Sequence, residues 1–483
     1  MREFVDMLDA RGELRRVRAP VSAELEISEI TDRVSKGPAA GNRALLFENV
    51  PGHRIPVASN LFGSAARMAL ALGAESLDEV GERLGALLSP ELPRGVRAVM
   101  DRLRGGLEAA RAFPHRVDSG KAPSQEEVVT GEAVRLSDLP ILRCWPLDGG
   151  RYITLPLVIT RDPASGVRNV GMYRLQEFDD RTLGMHWQIH KGGAEQSERY
   201  QPGERIPVAV AIGGDPAATY AASAPLPPGI DEFLFAGWLM KRRMRLVRAV
   251  TVDLDVPADA DIVLEGYVDP AERRVEGPFG DHTGYYSLED DYPVLHLTAM
   301  TMRRDPIYPA TLVGRPPMED YWLGHATERI FLPLLRLVQP EIVDYHMPAE
   351  GVFHNCVIVS MRKRYPGHVA KVCFAVWSTM QLANSKIVIA VDADIDPHDL
   401  REVAFRAFSN VDPRRDTIIV DGPLDVLDHG GPSFARGSKM GIDATRKGAL
   451  DGYQRPWPPD ITMDPRIVEL VERRWAEYGL DRL

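Results

Sequence analysis

Apolar and polar positions along this chain change period several times, and each change marks a stretch of different architecture. At the start, REFVDMLDARGEL spaces its apolar residues as one face of a short amphipathic helix. ALLFENV at residues 44–50 is a β-rich run, PVASN follows, and helical spacing resumes from Ser64. Residues 1–115 therefore read as an N-terminal α/β domain. The stretch FPHRVDSGKAPSQEE, residues 113–127, is polar, holds two prolines and has no apolar period, so it reads as a linker.

Between residues 128 and 320 short β-rich runs recur: LPLVIT, VRNVGMYRLQEF, TLGMHWQIH, IPVAVAI, RLVRAVTVDLDV, DIVLEGYV and PVLHLTAMTM. Closely spaced strands with turn residues between them predict a barrel or sandwich. Helical insertions are expected at residues 193–200 and 231–241. After the GRPP turn, CVIVSM, KIVIAVDADID and DTIIVDG read as buried strands alternating with helices at 368–383 and 400–408. Residues 330–460 thus form a C-terminal α/β domain. A single amphipathic helix at 464–478 lies within the tail, residues 461–483, packing on a partner subunit or on its own domain.

The length, 483 residues, is consistent with about three domains. The charge is 58 minus 69, or -11, with no block of like charges, which argues against a nucleic-acid binder. No run approaches the ~18 apolar residues of a membrane span, and the opening is unlike a secretory signal, so a cytoplasmic location is expected. Cys144, Cys356 and Cys373 are too few and too scattered for a disulfide framework or a CxxC zinc site. Any metal must therefore be held by His, Asn and carboxylates.

The sharpest local feature is EGPFGDHTG, which sets Glu276 and Asp281 five residues apart on a loop with three glycines and a proline. Two carboxylates brought to one point can divide acid and base roles. A tight surface turn with solvated acids has the same spacing. NVGMYR (169–174) and HWQIHKGG (186–193) form a second constellation. On a strand His186 and His190 would face the same side, and Asn oxygen with carboxylate suits a hard cation such as Mg or Mn. Surface or hydrogen-bonded core histidines are the more frequent outcome for such a pair. Arg174 is a natural carboxylate fork or a surface ion pair, and Lys191-Gly192-Gly193 is a phosphate cradle or a plain turn.

In ASAPLPPGIDE, Glu232 falls in the first turn of the following helix, where capping alone would explain it. Gly437-Ser438-Lys439-Met440-Gly441 reads as a small-residue loop, and a phosphate contact through its lysine is the lesser of its readings. Dinucleotide, P-loop and α/β-hydrolase fingerprints are absent from the sequence.

These motifs, in this order and over nearly the whole chain, closely resemble the UbiD family of reversible decarboxylases that use prenylated FMN. The segments carrying the resemblance are REFVDMLDARGEL, ALLFENV, PVASNLFG, NVGMYR, HWQIHKGGA, ASAPLPPGIDE, LEGYV, EGPFGDHTGYY, GRPP and GSKMGIDAT. The resemblance implies an N-terminal α/β domain, a central split β-barrel that binds the flavin, and a C-terminal α/β oligomerisation domain. It implies a divalent metal, Mn2+ or Mg2+, on Asn169, His190 and Glu232. It also implies K+ or Na+ near Ala222, Ser223 and Glu232. Cofactor contacts carry over to Met172, Tyr173, Arg174, His186, Trp187, Gln188, Lys191 and Gly192.

The implied catalytic set is Arg174, Glu276 and Asp281. Arg174 orients the substrate carboxylate, and a carboxylic acid whose proton is retained by burial re-protonates the product. Asp281 is the expected donor and Glu276 the partner of Arg174. The substrate would be an aromatic, heteroaromatic or α,β-unsaturated carboxylic acid, with Tyr321, Trp322 and Leu323 beside it. A flavin prenyltransferase would supply the cofactor, and a homodimer or larger assembly is expected, with neither membrane nor nucleic acid as partner. The competing reading is a metal-dependent hydrolase or lyase using the same Asn, His and Glu without a flavin. A non-enzymatic cofactor-binding or assembly protein would leave Glu276, Asp281 and Arg174 without a task.

Overall fold

The computed structural model describes residues 1–88, 105–106, 110–188, 192–201, 203–227 and 229–480. Its frame is a mostly antiparallel central sheet, flanked by an N-terminal α/β layer and followed by a C-terminal α/β unit. The first helix, Arg2–Ala10, buries Phe4, Val5 and Leu8, as its spacing predicts. Strands Leu14–Val17, Ala44–Phe47 and Val57–Ser59 form a sheet completed by Tyr308–Pro309, so the central segment supplies an edge to the N-terminal layer.

The central sheet has nine strands among the described residues. Its path runs Tyr152–Ile153, Leu175–Asp179, Thr182–Met185, Asp290–Met302, Ile262–Glu276, Ile206–Ile212, Pro156–Arg161, Arg168–Gly171, and Glu127–Thr130 adds to Asp290–Met302. That path is open: its first and last strands do not pair among the described residues, and no closed barrel forms. Both faces are covered. Leu157, Ile159, Ala209, Ala211 and Val263 pack into one apolar cluster, and Val158, Val208, Val210, Ile212, Ile262 and Leu264 into the other. Successive side chains point to opposite faces, so a strand buried on both sides reads as the unbroken apolar run IPVAVAI.

The longest ladder pairs Ile262–Glu276 with Asp290–Met302, ending at Glu276 opposite Asp290. Residues 277–289 join the two strands and present the EGPFGDHTG motif at the sheet's end. Beyond it, helix Glu319–Val338 leads into a five-stranded sheet ordered Ile342–His346, Cys356–Met361, Ile387–Asp392, Arg436–Asp443, Thr417–Pro423. Helix Glu319–Val338 is fastened to the N-terminal layer where the buried Glu319 carboxylate accepts the Phe62 N–H at 2.7 Å.

Several local expectations are corrected. The stretch read as a linker is built into the fold: His115–Arg116 pairs with Arg245–Arg248, and Ala122 and Ser124 are buried. The run RLVRAVTVDLDV is two strands, Arg245–Arg248 and Asp255–Pro257, in a separate sheet. The strand before the histidines stops at Met185, so His186 lies beyond it, and His190 lies outside the described residues. Gly437 to Gly441 lie in strand Arg436–Asp443, and Lys439 is buried with its ammonium donating to the Ala383 and Ser385 carbonyls at 2.7 Å, which leaves no phosphate loop. DTIIVDG is an edge strand with Ile419 69% exposed. The tail helix is shorter than its pattern suggested, Pro465–Arg473, and buries no residue on its own chain.

Leu264 sits fully buried in the central strand. Leu264→Ala is expected to cost about 2–5 kcal/mol, the transfer term plus a residual cavity, measured by urea denaturation.

Candidate active site

Arg174 lies in the short connection between strands Arg168–Gly171 and Leu175–Asp179, and its guanidinium reaches the end of the long hairpin. Nε donates to Glu276 Oε1 at 2.8 Å and Nη2 to Glu276 Oε2 at 3.1 Å, a bidentate fork. Nη1 donates to Asp281 Oδ2 and Nη2 to Ser287 Oγ at 3.0 Å. Below the fork, the Phe279 ring centroid is 4.5 Å from the guanidinium carbon. Glu276 is fully buried although it ends a strand whose preceding residue, Val275, is 55% exposed. The alternation is inverted here, the acid inside and the apolar residue outside.

The turn after Glu276 is held by many bonds. Gly277 adopts φ +105°, a conformation that favours glycine, and its N–H donates to Gln176 Oε1 at 2.8 Å. The Pro278 carbonyl accepts from Gly149 N and from the Tyr152 hydroxyl, and Gly280 N donates to Asp148 Oδ1 at 2.8 Å. Asp281 and His282 are thereby fixed at the lip of a cavity of about 890 Å³. Asp281 Oδ1 accepts from the His282 backbone N–H and faces His282 Nδ1, each at 2.8 Å, and His282 Nε2 meets His354 Nε2 at 2.7 Å.

Burial alone would keep both acids protonated. The His186 hydrogen bond and the Arg174 charge outweigh it at Glu276, holding that carboxyl down to about 2. Asp281 is also held below the ordinary range: burial is overcome by the hydrogen bond and charge of His282 and by Arg174. The expected buried, proton-retaining Asp281 is therefore corrected, since both carboxyls are ionised in this arrangement. The proton resides next door, where the Asp281 hydrogen bond overcomes burial and raises His282 to about 9.

Of the residues singled out from the sequence, Asn169, Met172, Tyr173, Arg174, Gln188, Gly192, Ala222, Ser223, Glu232, Asp281 and Leu323 line one cavity. Glu276 backs Arg174 from the interior. His186 and Trp187 are buried behind the wall, His186 Nδ1 lying 3.0 Å from Glu276 Oε2. His190 and Lys191 lie outside the described residues. Tyr321 and Trp322 are not among the lining residues. Helix Glu319–Val338 turns Asp320, Leu323, Gly324 and Thr327 toward the cavity instead.

Glu232 opens helix Glu232–Leu239, but the cap is Asp231, whose side chain accepts the Leu234 N–H. Capping therefore does not account for Glu232. Its carboxylate accepts the Val170 N–H at 3.1 Å, and burial pushes it up to about 7. Asn169 Nδ2 is buried without a hydrogen bond, and a Cβ on Gly192 would lie 2.4 Å from Asn169 Oδ1. A half-buried carboxyl with an amide oxygen is a hard donor set, and a divalent cation there would hold Glu232 ionised. These residues fit a metal-anchored phosphate. His186 Nε2 and Trp187 Nε1 are also buried without hydrogen bonds.

Residues given no role from the sequence complete the cavity: His282, although inside the recognised motif, and Phe353, His354 and Asp425 from the C-terminal unit. The first is signalled only by its adjacency to Asp281. The others are brought in by tertiary contact and carry no local signal.

Three family models match: the 3-octaprenyl-4-hydroxybenzoate carboxy-lyase N-terminal domain at residues 5–84, its Rift-related domain at 115–316 and its C-terminal domain at 321–444. An uncharacterized protein of Aquifex aeolicus is 50% identical over 483 residues, covering 100% of this chain and 99% of the relative. The UbiD-class enzyme HmfF from Pelotomaculum thermopropionicum, in complex with FMN, superposes with TM-score 0.82 at 30% identity, covering 99% of each chain. An evolved dimeric form of HmfF in complex with prFMN gives 0.77 at 30% identity, covering 96% of this chain and 98% of the other. Vanillic acid decarboxylase of Sedimentibacter hydroxybenzoicus, closed form, gives 0.85 at 29% identity, covering 99% and 98%.

The raised His282 ties stability to pH. A base whose folded value exceeds its unfolded one contributes fully below the unfolded value, near 6.5, and loses that contribution as pH rises through about 9. The stability advantage of wild type over His282→Gln is expected to shrink across that window, read by urea denaturation at successive pH values.

Proposed function

The chain belongs to the UbiD family of carboxy-lyases, and on that premise we propose that it carries out the reversible, non-oxidative decarboxylation of an aromatic, heteroaromatic or α,β-unsaturated carboxylic acid on prenylated FMN. The observation that carries this reading is the Arg174 fork, closed by Glu276 and Asp281, at the wall of a cavity large enough for a flavin. The relatives in complex with FMN and prFMN support the cofactor assignment. Nothing in these relatives favours the flavin-free hydrolase reading.

When bound, prenylated FMN supplies the electron sink that accepts the electrons left by departing carbon dioxide. The protein does the rest. Four of the five Arg174 N–H donors are committed to Glu276, Asp281 and Ser287, which leaves one on Nη1 for the substrate carboxylate. Glu276, anchored by His186, keeps the guanidinium from turning away. Asp281 stands between the substrate and His282. Its role is to pass a proton that His282 Nδ1 holds, and in the carboxylation direction to return it.

Asn169, His190 and Glu232 would hold Mn2+ or Mg2+ against the cofactor phosphate, with Lys191 and Gly192 beside it. K+ or Na+ would take the carbonyls of Ala222 and Ser223. Ala222 O already accepts the Met172 N–H at 3.2 Å and keeps a second lone pair. Met172, Tyr173 and Gln188 would contact the flavin, and Leu323 the substrate. No described helix is long and apolar enough to cross a membrane. A cytoplasmic enzyme fed by a flavin prenyltransferase is the proposed setting.

The test is co-production with a flavin prenyltransferase, followed by mass spectrometry of released cofactor, metal analysis, and assays of carbon dioxide release or deuterium exchange over a panel of unsaturated and aromatic acids. Expected are the mass of prenylated FMN, near-stoichiometric metal and at least one exchanged acid. Metal without flavin, with activity intact, would install the hydrolase reading instead. Asp281→Asn, with cofactor bound, is expected to lose about 10²- to 10⁴-fold in turnover, the scale of a general acid. Full turnover in that variant would remove Asp281 from the proton path.

The tail helix, with Ile467, Val468 and Leu470 exposed, supports the proposal of a homodimer or larger assembly. Sedimentation velocity at micromolar concentration should show no clean monomer.

A further inference from the structure

A second cluster of ligating side chains lies on the other side of helix Glu319–Val338. Leu323, Gly324 and Thr327 line the active cavity, whereas His325 and Arg329 line a separate cavity of about 670 Å³ with Asp344 and His398. His325, Glu328 and His346 each offer one ligand atom such that all lie within 4.8 Å of one another. Glu328 is fully buried. Its Oε2 is committed, accepting the Met347 N–H at 2.6 Å and facing His346 Nδ1 at 2.9 Å.

Oε1 is buried and accepts no hydrogen bond, although His325 Nδ1 lies 3.3 Å away and His398 Nε2 3.8 Å away. His325 Nδ1 is itself buried without a hydrogen bond. The two atoms face each other at ion-pair distance, longer and less well aligned than the 2.9 Å contact of His346 Nδ1 with Oε2.

We propose that His325, Glu328 and His346, joined by His398 once its Nε2 is released from Arg329 Nη1 3.3 Å away, form a site for a borderline divalent transition metal such as Zn2+. Ligands about 2.0–2.1 Å from a tetrahedral ion stand roughly 3.4 Å apart, close to the separations around Oε1. The Met347 N–H on Oε2 orients the carboxylate so that Oε1 is presented to the ion, the part outer partners play in metal sites. The adjoining cavity is the entry path. Bound there, the ion ties helix Glu319–Val338 to strand Ile342–His346 and to the loop carrying His398, pinning the helix whose opposite face lines the active cavity.

The test uses full-length protein carrying Glu232→Gln, which disables the metal position beside the flavin cavity, stripped with a chelator and titrated with Zn2+ by calorimetry and by metal analysis after dialysis. One equivalent is expected to remain bound and to raise the unfolding temperature. Adding His325→Gln or His398→Gln should weaken that equivalent by more than the ~10–100-fold typical of losing only an outer partner, and should abolish the thermal shift. His325 and His398 both border the cavity, so these variants serve where Glu328→Gln does not fold. Co2+ in place of Zn2+ should give a visible absorption band that His325→Gln removes. No retained equivalent in Glu232→Gln, or an affinity indifferent to His325→Gln and His398→Gln, overturns the site.

Discussion

A guanidinium shared between two carboxylates and largely shielded from water is the constraint on which this structure turns. Removing Arg174 from water is costly, and only close, well-oriented partners repay it. Glu276 supplies two contacts, Asp281 a third and Ser287 a fourth. Those partners all come from one hairpin end, far along the chain from Arg174, so the geometry survives only if the central sheet holds the Arg174 connection against that end. The doubly covered sheet does this: with apolar clusters on both faces, neither strand pair can slide without exposing core. Much of the fold's rigidity is thus spent on keeping one cation between two acids.

The same constraint decides where the proton sits. A carboxyl buried alone retains its proton, but Asp281 is buried beside two cationic partners, and ionisation wins. The proton is displaced to His282, which reaches across to His354 in the C-terminal unit. The proton at this site is therefore shared by a pair, Asp281 with His282, and its poise depends on how closely the C-terminal unit is packed against the central sheet. Any motion of residues 353–354 relative to the hairpin turn would alter the partner of His282 Nε2 and with it the readiness of the proton.

How much of this is legible in the sequence varies with the range of the cause. Helix Arg2–Ala10 and strand Ile206–Ile212 follow from local periodicity, and the order of motifs identifies the Arg174, Glu276 and Asp281 set. The inverted pattern at Val275 and Glu276 is itself a readable sign, since an acid on the inner face of a strand asks for a buried cation. Lys439 misleads because its neighbours are small and look loop-like, while the carbonyls that satisfy its ammonium belong to residues 383 and 385, distant in sequence. The polar stretch at 113–127 misleads for a related reason: it adds an edge to strands more than a hundred residues away. The direction of the Asp281 shift was unreadable without knowing which charges surround it.

Helix Glu319–Val338 shows why the two halves of the molecule are best considered together. Its 20 residues present one face to the active cavity and the other to the histidine cluster, and its buried Glu319 fastens it to Phe62 in the N-terminal layer. A rigid helix transmits displacement from one face to the other, because a packed interior does not deform continuously. Whatever fixes His325 and Glu328 against strand Ile342–His346 therefore also fixes the distance between Leu323 and Asp281 across the cavity. The residues of this helix that line the cavity are set from behind, by contacts outside it.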